Sequence, residues 1–298
     1  MTDLGFDGRV AIITGAGGGL GRQHALMLAR RGALVVINDL GGAVDGSGSD
    51  TSAAQLVVDE IRAAGGEAVA NTDSVATPEG GAAIVQTAVD AFGKVDIVVN
   101  NAGILRDKSF HNMTPDLVDP VLDVHLRGAF NVTQPAWKIM REQGYGRVVS
   151  TSSAAGVFGN FGQANYGAAK MGLVGFTNVL AVEGAKYGIR ANAIAPLAFT
   201  RMTEDILGSL ADKLQPELVS PLVTYLVHES CEATGRVFSV GGGRVAEVFI
   251  GECRGYTDAA GLTAEGVRDH WTEITDRTDY EVPPTIAEET AMFLKALG

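Results

Sequence analysis

Ser153, Tyr166 and Lys170 lie in the charge-poor stretch SAAGVFGNFGQANYGAAK at 153–170. The lysine follows the tyrosine by one helical turn, so their side chains share a helix face. An unperturbed phenol has a pKa near ~10 and is a poor base at neutral pH. A neighbouring ammonium favours the phenolate and lowers that value. A serine at the end of a strand can hydrogen-bond an oxygen on which charge develops. Taken singly, the three suit a core tyrosine, a surface lysine and a strand-end serine. Together they suit proton transfer to and from a bound oxygen.

A second constellation lies near the N-terminus. The run Thr14-Gly15-Ala16-Gly17-Gly18-Gly19-Leu20-Gly21 follows a short apolar segment and precedes a helical one. Glycines at a strand-to-helix turn let the backbone approach a pyrophosphate, whose charge then meets the helix N-terminus. Asp39 closes the next apolar segment. A carboxylate there accepts bonds from the adenosine ribose hydroxyls and repels a 2′-phosphate, which favours NAD over NADP. Arg22, just after the turn, works in the opposite direction as a phosphate acceptor; with Asp39 in place the expectation is NAD.

These residues need a frame. Apolar runs occur at 10–13, 34–37, 95–99, 147–150, 191–195 and 237–240, with a weaker one at 67–71. Continuous apolarity marks strands buried on both faces, and intervening helical stretches make βαβ units. The expectation is a single α/β, Rossmann-like doubly wound parallel sheet of about seven strands with helices on both faces. Helices are predicted at about 20–31, 52–64, 78–92, 115–143 and 164–187. The pattern changes beyond Gly243, so the chain is divided into 1–250, carrying the site, and a helical extension at 251–298. Two helices are expected in that extension, near 263–275 and 285–297. The second opens with a capping box, Thr285 to Glu288, and Trp271 falls on one face with Val267. The stretch at 41–50, GGAVDGSGSD, reads as a low-complexity loop.

Charge and composition narrow the partners. The formal net charge is −12 over 298 residues, a field that repels nucleic acid and anionic membranes. No apolar run reaches the length of a membrane span, and MTDLGFDGR lacks a signal-peptide core, so a cytoplasmic location is expected. The cysteines, Cys231 and Cys253, have no metal-ligand spacing and read as reduced thiols, and no metal is expected.

With Asn100-Asn101-Ala102-Gly103 after the fourth strand, the motifs over about 6–243 resemble the short-chain dehydrogenase/reductase family. NDLGG at 38–42, NNAGILRDKSF at 100–110, VHLRGAF at 124–130, VFGNFGQANY at 157–166 and HESCE at 228–232 resemble its (3R)-hydroxyacyl-CoA dehydrogenase branch. The resemblance implies an NAD-dependent oxidation of a secondary alcohol, with Tyr166 as base, Ser153 holding the substrate oxygen and Lys170 bridging to the nicotinamide ribose. It also implies that Thr14, Gly15, Gly19, Leu20 and Gly21 hold the pyrophosphate and Asp39 the ribose. Asp73 and Ser74 would lie against adenine, Asn100, Ala102 and Gly103 beside the inner ribose, and Pro196 and Thr200 near the nicotinamide carboxamide. Two departures stand out. His125 replaces the family's usual asparagine, either as partner of a relay water or as a satisfied core residue. Leu197 follows Pro196 where glycine is usual, which leaves the threonine contact open between Thr200 and its neighbours. The implied substrate is an acyl-CoA, with a steroid or an acyl carrier-protein ester as alternatives, and a non-catalytic dinucleotide sensor as a remote one. An apolar face of Ile206, Leu207, Leu210 and Leu214 suits either a cover for the acyl chain or packing on the body. The family also implies a homodimer or larger homo-oligomer.

Overall fold

The structure, a computed structural model, describes residues 4–200, 208–258 and 260–297. Eight strands form the main sheet: β1 Val10–Thr14, β2 Leu34–Asn38, β3 Glu67–Asn71, β4 Ile97–Asn100, β5 Gly146–Thr151, β6 Ile189–Pro196, β7 Arg236–Gly241 and β8 Arg244–Val248. Their order is β3-β2-β1-β4-β5-β6-β7-β8. Pairing from β3 through β7 is parallel, with Ile12 opposite Val36 on one side and Val98 on the other. Every residue of β1, β4 and β5 is buried, as the continuous apolar runs require. The strand order reverses between β1 and β4, which opens a crevice at their carboxyl ends.

The helices that position the site are α1 Gly19–Ala29, α2 Ser52–Ala63, α3 Pro78–Phe92, α4 Pro115–Leu122, α5 Gly128–Gln143, α6 Ala154–Phe158 and α7 Ala164–Gly184. They cover both faces. Ala11 and Ile13 of β1 pack with Leu28, Val57 and Ile61, while Val10 and Ile12 pack with Ile84, Val132 and Met140. That division follows from the two-residue period of a strand.

Two features depart from the sequence expectation. The helix expected over 115–143 is interrupted by one π-helical turn, Asp123–Arg127, between α4 and α5. The sheet also gains β8 beyond the seven expected strands. Gly242 and Gly243, both at positive φ, make a two-residue turn that returns the chain beside β7.

The chain divides into two compact units, Met1–Glu247 and Val248–Gly298. Within the second, Glu252–Cys253 pairs antiparallel with Tyr280–Glu281, and Tyr256 stacks on His270 at 3.8 Å. The helix expected at 263–275 is broken at His270 into Ala264–Asp269 and Trp271–Ile274. At the start of the last helix, Ile286–Leu297, Thr285 accepts from the Ala287 amide and its hydroxyl meets Glu288.

Among the described residues no helix is long and apolar enough to cross a membrane, and no cluster of three or more His, Cys, Asp or Glu is placed to hold a metal ion. Both cysteines are free thiols.

Candidate active site

Ser153, Tyr166 and Lys170 meet at the carboxyl end of β5. Ser153 is the N-cap of α6, its hydroxyl accepting from the Ala155 amide at 3.1 Å. Tyr166 stands in the first turn of α7, held there by Asn165. That buried side chain donates to the Arg106 and Leu117 carbonyls at 2.9 and 2.7 Å and accepts from the Tyr166 amide. Lys170, one turn on, is buried and donates to the Thr151 carbonyl at 2.5 Å, with its ammonium 5.4 Å from the Tyr166 ring centre.

Electrostatics here differ from the expectation. Burial draws the Lys170 ammonium down to about 7. Burial also raises the Tyr166 phenol above its ordinary value, the hydrogen bond with Ser153 lowers it, and Asp107 raises it. The lysine alone therefore does not ready the phenol as a base. One of its three N–H groups donates to Thr151, and a dry phenolate is costly without a further positive charge.

His125 sits in the π-turn at 3% exposure, its ring centre 5.2 Å from that of Tyr166 and the two rings nearly perpendicular. Its Nε2 lies 2.9 Å from the Ile104 amide and 2.7 Å from the Ile104 carbonyl. Position 103 must be glycine for this approach, because a Cβ there would stand 2.4 Å from the ring. Burial, then Lys170, holds the imidazole well below its ordinary value, against the opposing bond from Ile104. The ring is thus neutral. Its Nδ1 has no partner, nor has Oδ1 of Asn100, whose amide donates to Thr133. These two residues, Lys170 and Thr14 share a cavity of about 10 Å³, room for roughly one water. Of the two sequence readings of His125, neither holds alone: one nitrogen is satisfied and the other faces the cavity.

The residues expected to hold the pyrophosphate, the ribose and the adenine follow the carboxyl ends of β1, β2 and β3, with Asn100, Ala102 and Gly103 at the end of β4. Gly15, at φ +62°, is pressed against the next loop, where a Cβ would stand 2.7 Å from the Ala102 Cα. A Cβ on Gly21 would be 2.3 Å from the Gly15 carbonyl oxygen. No side chain caps α1, so the amides at Gly19, Leu20 and Gly21 remain suited to an anion. Asp39 is fixed by two amides, Gly17 to one oxygen and Gly41 to the other, each at 2.7 Å. Arg22 is paired with Glu60, bidentate at 2.6 to 3.0 Å. A Cβ on Gly19 would be 3.9 Å from the Thr200 methyl, which brings the turn opposite the loop that follows Pro196.

Two of the expected side chains are engaged within the protein. The Thr14 hydroxyl accepts from the Asn101 and Ala102 amides at 3.0 and 3.1 Å and so pins the β4 loop. The Ser74 hydroxyl accepts from the Ala76 amide at 3.2 Å, turned into its own loop. Asp73 stands at the crevice rim, bonded to Asn71 at 2.7 Å and, through its carbonyl, to Asn38 at 2.9 Å. The Asp39 carboxylate after β2, the uncapped helix and the absent Cβ atoms fit a dinucleotide.

Sequence reasoning missed three phenylalanines. Phe110, Phe158 and Phe161 are 81%, 73% and 89% exposed. Phe158 and Phe161 lie between Ser153 and Tyr166 along the chain. The Lys108 amide donates to Gly162 at 2.8 Å, and Gln163 donates to Asp107 at 2.6 Å, which ties the Phe110 segment to the Phe161 loop. Single aromatics within polar loops were the only available signal. Of the expected acyl cover, Ile206, Leu207 and the Leu210 side chain lie outside the described residues; Leu214 is buried.

Residues 9–208 match the family described as short chain dehydrogenase. The mouse peroxisomal multifunctional enzyme type 2 is 51% identical over 99% of this chain and 40% of its own length. A hydroxyacyl-CoA dehydrogenase of Mycobacterium tuberculosis is 42% identical over 83% of this chain and 81% of its own. The solved structure of full-length peroxisomal multifunctional enzyme type 2 from Drosophila melanogaster superposes with a TM-score of 0.83 at 40% identity, covering 99% of this chain and 50% of that one. The chain thus spans half or less of those multifunctional relatives. The fold, the glycine turn, and the serine, tyrosine and lysine brought to one strand end agree with these matches: the chain belongs to the short chain dehydrogenase family, and it is an enzyme.

Proposed function

We propose that the protein oxidises a (3R)-3-hydroxyacyl-CoA to the 3-oxoacyl-CoA with NAD as hydride acceptor. The observation that carries the reading is the joint placement of Ser153, Tyr166 and Lys170 beside a crevice whose acidic residue, Asp39, faces no free arginine at Arg22. The glycine turn, Asp39, Lys170 and Thr200 would hold NAD, which supplies the hydride acceptor and a positive ring that lowers the phenol pKa. Ser153 orients the substrate hydroxyl, and the Tyr166 phenolate takes its proton as the C–H hydride leaves. From Tyr166 the proton passes toward Lys170 and the small cavity shared with His125 and Asn100.

The acyl-CoA class is supported by the resemblance of 100–110 and 157–166 to hydroxyacyl-CoA dehydrogenases and by the exposed phenylalanines beside the site. A 3-oxoacyl carrier-protein reductase using NADPH is disfavoured by Asp39. A 17β-hydroxysteroid activity would use the same apolar rim. Initial rates with NAD over hydroxyacyl-CoAs of several lengths and a steroid panel test the reading; a kcat/KM favouring steroids would contradict it. A cytoplasmic location belongs to the same proposal. Relatives are named peroxisomal, and fractionation of source cells distinguishes the two.

A further inference from the structure

The loop 40–50 leaves β2 but does not run straight to α2. Its ends meet, with the Asp50 amide donating to the Leu40 carbonyl at 3.3 Å. Gly41 is pressed so close that a Cβ would stand 2.0 Å from the Asp50 carbonyl oxygen. At the tip the chain turns back on itself: the Gly46 amide donates to Ala43 at 2.9 Å and the Ala43 amide to Ser47 at 2.8 Å.

The tip rests on the segment after β4. The Leu105 amide donates to the Val44 carbonyl at 2.9 Å, and Nε of Arg106 donates to the Asp45 carbonyl at 2.8 Å. A Cβ on Gly46 would come 3.1 Å from the Ile104 side chain. In the sheet, β2 and β4 are not neighbours, because β1 lies between them. A path from the end of β2 to the residues after β4 therefore crosses the carboxyl end of β1, where the glycine turn begins.

We propose that 40–50 is a strap over the dinucleotide crevice, with Arg106 as its clasp. The inference rests on the dinucleotide reading of the site. Under it, the adenosine ribose and diphosphate lie between the glycine turn and the strap, and the strap must lift before the dinucleotide leaves. Asp39 roots the device, because its carboxylate holds Gly17 of the turn and Gly41 of the strap together. The clasp reaches the catalytic side as well. Arg106 donates to the Asp116 carbonyl at 2.8 Å, and its own carbonyl accepts from Asn165, the residue before Tyr166. Ile104, on which the tip rests, is also the residue whose backbone holds His125. Arg106 is thus a positioning residue, acting through the strap rather than on the reacting atoms.

The test is the rate of dinucleotide release. Arg106→Ala removes the clasp. Gly46→Val loads a β-branched side chain onto a residue at φ +84° that already touches Ile104. Stopped-flow fluorescence would follow release of NADH, and of NADPH in parallel, from wild type and both variants. Melting of the ligand-free proteins is measured alongside. Both variants should release dinucleotide at least about tenfold faster, for Arg106→Ala the equivalent of one lost charge-assisted bond; Arg106→Ala should change melting little, while the strained backbone of Gly46→Val lowers it. If Arg106→Ala does not fold, Gly46→Val carries the comparison. Release within about twofold of wild type in every folded variant overturns the strap. Wild type holding NADPH but not NADH contradicts the NAD proposal while leaving the strap tested on the ligand it holds. Wild type holding neither overturns both.

Discussion

Tyr166 sits one turn before a lysine and within reach of a serine, yet burial raises its pKa. Two expectations follow at this scale. Tyr166→Phe should lower kcat by roughly 10²–10⁴-fold, the ordinary contribution of a general base, with NADH affinity nearly unchanged. Steady-state kinetics beside a binding titration checks this, and more than half of wild-type kcat remaining would contradict the role. The pH profile follows from the direction of the shift. A phenol whose pKa is raised is protonated at neutral pH, so alcohol oxidation should accelerate as pH rises and the phenolate forms. A kcat/KM that is flat or falling from neutral to alkaline pH would contradict it. Cofactor choice also belongs here: Asp39→Asn should improve NADP use, measured as the ratio of kcat/KM values, since it removes repulsion of a 2′-phosphate. Much of this site was legible, because helical spacing alone puts Tyr166 and Lys170 on one face. What spacing does not contain is where hydroxyls turn. Thr14 and Ser74 are short side chains whose nearest amides belong to neighbouring loops, and those amides took them.

Seven of the eight strands of the main sheet were legible as apolar runs, since a strand covered on both faces has no polar side to interrupt it. The eighth, β8, is mostly exposed and carries no such run; its signal was the glycine pair at 242–243. The π-turn at Asp123–Arg127 was hidden because helical apolar spacing continues on either side of it. The loop 41–50 looked featureless because its contacts are made by backbone groups, which composition does not report. The exposed phenylalanines yield an expectation for α6 and its neighbouring loops. Replacing Phe110, Phe158 and Phe161 together by alanine should raise KM for long-chain hydroxyacyl-CoAs while leaving short-chain KM near wild type, as removing apolar cover from a buried chain requires. Equal effects on both chain lengths would contradict a role in holding the acyl chain.

The first unit, taken whole, leaves apolar surface uncovered. On α7, Met171, Val179 and Val182 form an exposed stripe with Gly175 between them, and the ring of Phe130 of α5, half exposed, packs tilted against Phe176 with centres 4.2 Å apart. Such a patch suits a two-fold contact with a second copy, so the proposed assembly is a homodimer or larger. Sedimentation at micromolar concentration should show no monomer, and a monomer would contradict it. The central claim joins stereochemistry and cofactor to one site. It is tested most directly by NADH formation from the two stereoisomers of a 3-hydroxyacyl-CoA, each supplied with NAD and with NADP. Turnover of the (3R) isomer with NAD is expected, with little from the other three combinations. Preference for the (3S) isomer, or a higher kcat/KM with NADP, would contradict it.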